Sequence, residues 1–291
     1  MFKGAITALI TPFEDGKVDA QKFADFVEWQ ISEGIHGLVP CGTTGESPTL
    51  THERHNEVVD ICIESAKGRV PVIAGAGSNS TAEAISLAQH AQKAKADAIL
   101  VATPYYNKPN QEGLYQHFKA IHDAADIPMI LYNIPGRSVI DMTDATIVRL
   151  AKLDNVVGIK DATGDLARVG SLITELKGKE FCLLSGEDAT AVGFNAQGGQ
   201  GVISVSSNVA PAKVAKVQQL CLEGKYDEAT QLQNELIALH CAMFCDSSPA
   251  PAKYAASLMG LCNNELRLPL IPLLDEKKPQ VEKAIKDLGL I

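Results

Sequence analysis

The residue whose position says most about chemistry is Lys160. It closes the apolar run Val156-Val157-Gly158-Ile159, so its stem enters whatever interior that run builds. An ammonium stripped of water loses its proton more easily, and the neutral amine left behind attacks carbonyl carbon. The plain alternative is a lysine paired with a carboxylate at a strand end, and Asp161 is next in sequence. Neighbours on a strand point to opposite faces, which makes Asp161 a poor partner. Position alone leaves both readings of Lys160 open. Tyr132 ends another apolar run and offers a phenol as proton shuttle, or is a core tyrosine with a satisfied hydroxyl. Thr43 and Thr44 stand between Gly42 and Gly45, where hydroxyls and free N–H groups suit a carboxylate, or make only a tight turn. Arg137 follows Pro135-Gly136 on a loop, where a planar guanidinium can hold a carboxylate through two parallel hydrogen bonds. Each of the last three is weak by itself.

What could bring them together is the rhythm of the chain. Apolar, β-branched runs recur at Ala5–Ile10, Gly37–Cys41, Val70–Ala74, Ala98–Ala102, Met129–Asn133, Val156–Lys160, Phe181–Ser185 and Gly201–Val205. Between them lie stretches of helical periodicity: Phe23–Ser32, Arg54–Ala66, Ala82–Lys95, Glu112–Ala124 and Asp144–Lys152. Thr51 and Thr81 read as N-caps. Near-continuous apolar strands alternating with helices predict a parallel sheet covered on both sides, and eight such units predict an α/β fold of the closed (β/α)8 TIM-barrel kind. A doubly wound sheet is the competing architecture, but it usually carries a GxGxxG turn after its first strand, and Ile10-Thr11-Pro12-Phe13 is not one. Gly75-Ala76-Gly77 after the third strand reads as a tight turn. The barrel is expected over residues 1–210. A helical extension over 211–291 follows without a linker, with helices at Pro211–Leu222, Tyr226–Phe244 and Pro249–Met259. A barrel keeps its active site at the C-terminal ends of its strands. Amine, phenol, hydroxyls and guanidinium all fall there, and that convergence predicts an enzyme.

The 291-residue chain is 46% hydrophobic and 21% charged, with a formal net charge of −9, so phosphate-binding basic runs are missing and nucleic acid is not an expected partner. No apolar run approaches membrane-spanning length, and the start of the chain lacks a signal-peptide core. The seven scattered cysteines lack the paired spacing of a zinc site, so no metal is expected, and they read as buried free thiols of a cytoplasmic protein.

Gly42-Thr43-Thr44-Gly45-Glu46, Tyr132-Asn133-Ile134-Pro135 and Gly158-Ile159-Lys160-Asp161 together resemble the pyruvate-dependent class I aldolase family, to which N-acetylneuraminate lyase also belongs. The likeness runs over nearly the whole chain. It implies a Schiff-base lyase that uses no cofactor beyond a covalent imine of pyruvate on Lys160. Tyr132, Thr43 and Tyr106 would form the proton relay, with Tyr106 lent to a neighbouring subunit's site. Thr44 would bind the pyruvate carboxylate, and Gly186 and Ile203 would line the site through the backbone. Arg137 resembles the branch that holds L-aspartate 4-semialdehyde, which implies 4-hydroxy-tetrahydrodipicolinate, a precursor of diaminopimelate and lysine, as product. His52, His55, Asn79, Glu83 and Tyr105 match the lysine-binding set of lysine-inhibited members, and a homotetramer built from dimers is implied. Asp161 stands where relatives often carry glutamate. A related aldolase acting on another aldehyde, and a non-catalytic barrel, are the competing functions. The latter would be expected to have lost one of the lysine, tyrosine and threonine set.

Overall fold

A computed structural model describes residues 2–291. Eight parallel strands make the barrel: β1 (Gly4–Ala8), β2 (Gly37–Val39), β3 (Ile73–Gly75), β4 (Ala98–Ala102), β5 (Met129–Asn133), β6 (Val156–Asp161), β7 (Cys182–Ser185) and β8 (Gly201–Ser204). They pair in chain order, β1 also pairs with β8, and a bridge between Leu38 and Val72 closes the ring. The helices that follow the strands are α1 (Ala20–Ser32), α2 (His52–Ala66), α3 (Thr81–Lys93), α4 (Gln111–Ala124), α5 (Asp144–Leu150), α6 (Leu166–Glu175), α7 (Ala191–Ala196) and α8 (Pro211–Leu222). The barrel's ring of helices is therefore complete only at Leu222, beyond residue 210. Three further helices pack on it: α9 (Tyr226–Ala242), α10 (Ala250–Leu258) and α11 (Lys278–Asp287).

The alternation of each strand sorts its side chains into two cores. Ile6, Val39, Ile73, Leu100, Ile130, Tyr132, Leu184 and Ile203 fill the inside of the barrel. Leu38, Ile99, Val101, Leu131, Ile159 and Leu183 face the helices. Strand β6 breaks that alternation once. Met129 pairs with Val156, but Ile130 pairs with Gly158, so Val157 is an extra residue in the ladder. Such a bulge re-aims every residue beyond it. Counted from outward-facing Val156, strict alternation would send Lys160 outward, whereas the extra residue turns it inward onto the same rung as Tyr132. Gly158 is required there, since a Cβ would lie 2.1 Å from Cys182 Sγ.

Several local expectations need correction. Thr51 caps α2, its hydroxyl accepting from Arg54 N at 3.3 Å, but Ser80 rather than Thr81 stands at the N-cap of α3. The Thr81 hydroxyl is engaged by His117 Nδ1 at 2.9 Å instead. Arg137 is carried not by an open loop but by a single helical turn, Pro135–Ser138. Pro135 presets the first helical φ, and Val139 N closes the turn on the Pro135 carbonyl at 2.9 Å. Gly75 is a packing glycine, because a Cβ would come within 2.1 Å of the Cys41 carbonyl oxygen. Of the cysteines, Cys241 is exposed and Cys245 half-buried, while the other five are buried thiols. Among the described residues no helix is long and apolar enough to cross a membrane.

Candidate active site

Register does most of the assembly. Tyr132 on β5 and Lys160 on β6 are partners across the ladder, and Lys160 Nζ lies 4.2 Å above the Tyr132 ring. On the opposite face the next residues of the same strands, Asn133 and Asp161, are also partners. Asp161 spends its carboxylate outside the barrel, accepting from Thr163 N at 2.8 Å and from Arg168 at 3.2 Å. It is not the counter-ion of Lys160. Arg168 also donates twice to Asp141, which accepts from Asn133 Nδ2 at 2.7 Å. The ends of strands β5 and β6 are thus joined from outside.

Among the described residues no carboxylate forms an ion pair with Lys160. Burial pulls its pKa down to about 7, with Asp188 favouring the charged form and Arg137 opposing it. Among the described residues one other lysine is buried, Lys253, and it faces the Glu46 carboxylate at 2.5 Å. Burial lowers its pKa as well, but Glu46 pulls it back. Of the two, only Lys160 has an amine free to act as nucleophile. Burial pushes the Tyr132 phenol up to about 12, while Arg137 and a hydrogen bond with Thr43 pull it the other way. It therefore holds its proton at neutral pH, as a shuttle must before it donates.

A small pocket of about 50 Å³ surrounds the amine, and Thr43, Thr44, Tyr132, Arg137, Lys160 and Gly186 line it. Thr44 is buried, and among the described residues neither its N–H nor that of Thr43 donates to a protein acceptor. Two free amides, two hydroxyls and a guanidinium without an ion-pair partner form a cradle for a small carboxylate beside the amine. Ile203 sits in the interior core beneath, and Val205 two residues later reaches the pocket wall. Phe244 and Ser248 complete that wall from the C-terminal segment. The sequence offered no signal for them, because they lie in a stretch without motif or strand-end position. Asp188, whose Oδ2 accepts from Val205 N at 2.9 Å and Ser206 N at 3.1 Å, stands at the C-terminal end of the seventh strand, where position marked it but no role was read.

Tyr106 does not reach the pocket of its own chain. It is 88% exposed, in a left-handed conformation (φ 72°), and lines neither the pocket nor its mouth. The mouth opens into a cleft of about 440 Å³ that shares Gly42, Thr43, Tyr132 and Arg137 with the pocket. Its far walls bear His52, His55, Glu83 and Tyr105. His52 Nε2 lies 3.8 Å from Glu83 Oε1, and Glu83 Oε2 accepts from Ser78 at 2.7 Å. Asn79 stands behind this wall, donating to the Tyr105 carbonyl at 3.2 Å. His55 is buried, its Nδ1 has no partner, and burial brings its pKa down to about 4.

The family model described as "Dihydrodipicolinate synthetase family" matches residues 1–288. A 4-hydroxy-tetrahydrodipicolinate synthase of Parvibaculum lavamentivorans is 60% identical over 291 residues, the full length of both chains. The crystal structure of a chloride-inhibited dihydrodipicolinate synthase from Acinetobacter baumannii, complexed with pyruvate, superposes with a TM-score of 0.98 at 45% identity over all of both chains. A dihydrodipicolinate synthase from Cyanidioschyzon merolae with lysine bound superposes with a TM-score of 0.96 at 37% identity, covering 100% of this chain and 99% of that one.

Proposed function

Since this chain belongs to the dihydrodipicolinate synthetase family, we propose that it is a lyase that condenses pyruvate with L-aspartate 4-semialdehyde to 4-hydroxy-tetrahydrodipicolinate. The observation that carries the reading is the buried Lys160, without an ion-pair partner, on the Tyr132 rung. The neutral amine adds to C2 of pyruvate, whose carboxylate rests on the Thr43–Thr44 amides. Loss of water from the carbinolamine, with protons moved by Tyr132 and Thr43, leaves an iminium on Lys160. A C3 proton then leaves to give the enamine. Its C3 attacks the aldehyde carbon of the semialdehyde, whose carboxylate Arg137 holds, and the new alkoxide takes up a proton. The amino group of the bound semialdehyde finally attacks C2, and Lys160 departs as the amine when the ring closes. The imine itself is the electron sink, so the chemistry calls for no other cofactor.

Tyr106 joins the relay from a second subunit, within a homotetramer made of two dimers. The cleft wall of His52, His55, Asn79, Glu83 and Tyr105 takes lysine as an inhibitor. A structural neighbour with lysine bound supports the ligand. Treatment with pyruvate and borohydride should add one reduced pyruvyl group, mapped to Lys160. An adduct on another lysine, or none, would sink the mechanism. If the adduct forms but turnover with semialdehyde is poor beside other aldehydes, the imine chemistry stands and the second substrate changes.

A further inference from the structure

The chain buries a second lysine that this mechanism leaves unused. Lys253 on α10 and Glu46 after the second strand both have side chains wholly shielded from solvent, with Nζ 2.5 Å from Oε1. Lys253 also donates to the Glu265 carbonyl at 2.7 Å and stands 3.9 Å over the Phe13 ring. The other oxygen of Glu46 accepts from Arg267 N at 3.0 Å, and the Arg267 guanidinium donates to the Thr49 carbonyl at 2.9 Å. One carboxylate therefore knots the Gly42–Glu46 turn to the segment 253–267.

Stability does not account for such a knot. Stripping water from two charges costs about as much as their attraction returns, and apolar or neutral replacements of both partners often fold as well or better. Glu46 adds a second cost, for it ends its turn in a left-handed conformation (φ 56°) that a residue with a Cβ seldom adopts. What this turn does is present Thr43 and Thr44 to the pocket. Further side-chain ties on it come from Thr11, whose hydroxyl donates to the Gly45 carbonyl at 2.8 Å, and from Thr49, whose hydroxyl donates to the Glu46 carbonyl at 3.0 Å. We propose that Glu46 and Lys253 are positioning residues. Their pairing holds the Thr43–Thr44 turn in the shape that receives the substrate carboxylate and makes α10 part of the substrate-binding unit. The inference rests on the pyruvate reaction proposed above.

The test uses the double variant E46Q/K253M, which removes both charges and keeps their volume. It should melt within a few degrees of wild type, since replacing a whole buried pair is often neutral. The pyruvate concentration for half-maximal borohydride trapping should rise about tenfold or more, because small misplacements of binding groups are that costly. The kcat at saturating pyruvate should change by less than about threefold, a split expected when binding rather than chemistry is disturbed. A folded double variant with wild-type half-saturation overturns the role. Should it fail to fold, E46D decides, since it keeps Lys253 paired while shortening the tether by one methylene. A raised pyruvate KM is then expected, and an unchanged one overturns the proposal. Wild-type protein trapped in the same series separates the two readings. Its adduct upholds the reaction whatever the variants do, and its absence removes the reaction and this role together.

Discussion

Lys160 and Lys253 show how one residue type is given two settings by its neighbours. Burial favours loss of the proton from both, but a carboxylate 2.5 Å away pulls against that loss at Lys253, while Lys160, without one, is drawn down to about 7. Imine formation with pyruvate should therefore rise from acid toward neutral pH with a midpoint near 7. The neighbours set the direction in which that midpoint moves. Asp188 favours the ammonium, so Asp188→Asn should shift the midpoint to lower pH, and asparagine still accepts from the Val205 and Ser206 amides. Arg137 disfavours the ammonium, so Arg137→Ala should shift it upward. Arg137→Ala should also raise the KM for the semialdehyde strongly while trapping with pyruvate persists, since loss of a bidentate contact costs roughly 2–5 kcal/mol. Rates of trapping measured across pH for the three proteins check the signs. Two shifts in the same direction would mean that one of the two charges does not act on the amine as the geometry requires.

At the scale of elements, the eight strands and the helices α1 to α5 were readable because burial writes a period into the chain. Val156–Lys160 could be recognised as a strand, yet its bulge could not. An extra Val157 is invisible in a run that is apolar at every position, and only the partner strand exposes it. Helices α6, α7 and α11 escaped: Asp165 does cap α6, accepting from Ala167 N, but α7 is only six residues long and neither α7 nor α11 has a side-chain cap bond. Glu46 was part of a recognised motif but had no role, because its partner Lys253 lies about 200 residues away in a helix read as an appendix. The ends of α2 and α3 present the cleft wall of His52, His55 and Glu83, with Tyr105 facing them. A ligand with a carboxylate and an ammonium fits such a wall, where a helix start offers free N–H groups and Glu83 a counter-charge. Saturating lysine should slow the reaction, and Glu83→Ala should abolish that inhibition while leaving trapping on Lys160 intact. Coupling between sites is typically about 1–3 kcal/mol, so residual activity at saturation is expected. An unaltered rate in saturating lysine, or full inhibition of the Glu83→Ala protein, would remove lysine from this wall.

The whole molecule poses the question of Tyr106. The fold builds a pocket with amine, phenol, hydroxyls and guanidinium in one chain, but leaves this tyrosine 88% exposed, in a left-handed backbone that holds it away from its own barrel. Singly exposed apolar side chains are ordinary, but among the described residues Tyr106 is the most exposed of the large ones, and Val139, 68% exposed, follows the turn that carries Arg137. A second copy that covers both would deliver the phenol to the relay across a two-fold axis, each subunit lending to the other. The consequence is a complementation that no single-chain site allows. A Lys160→Ala chain keeps Tyr106 but has no nucleophile, and a Tyr106→Phe chain keeps the nucleophile but lends no phenol. In a hybrid dimer one site has Lys160 of its own chain and Tyr106 of the partner subunit, and the other site lacks both. Random exchange makes about half of the dimers hybrid and completes one site in two of each, so about a quarter of wild-type activity should return on mixing. Hybrid formation is followed independently, by mass, with one parent carrying a tag. Hybrids that form in the expected proportion but stay at the activity of the parents would place Tyr106 outside the reaction, and leave the pocket of a single chain to do the chemistry alone.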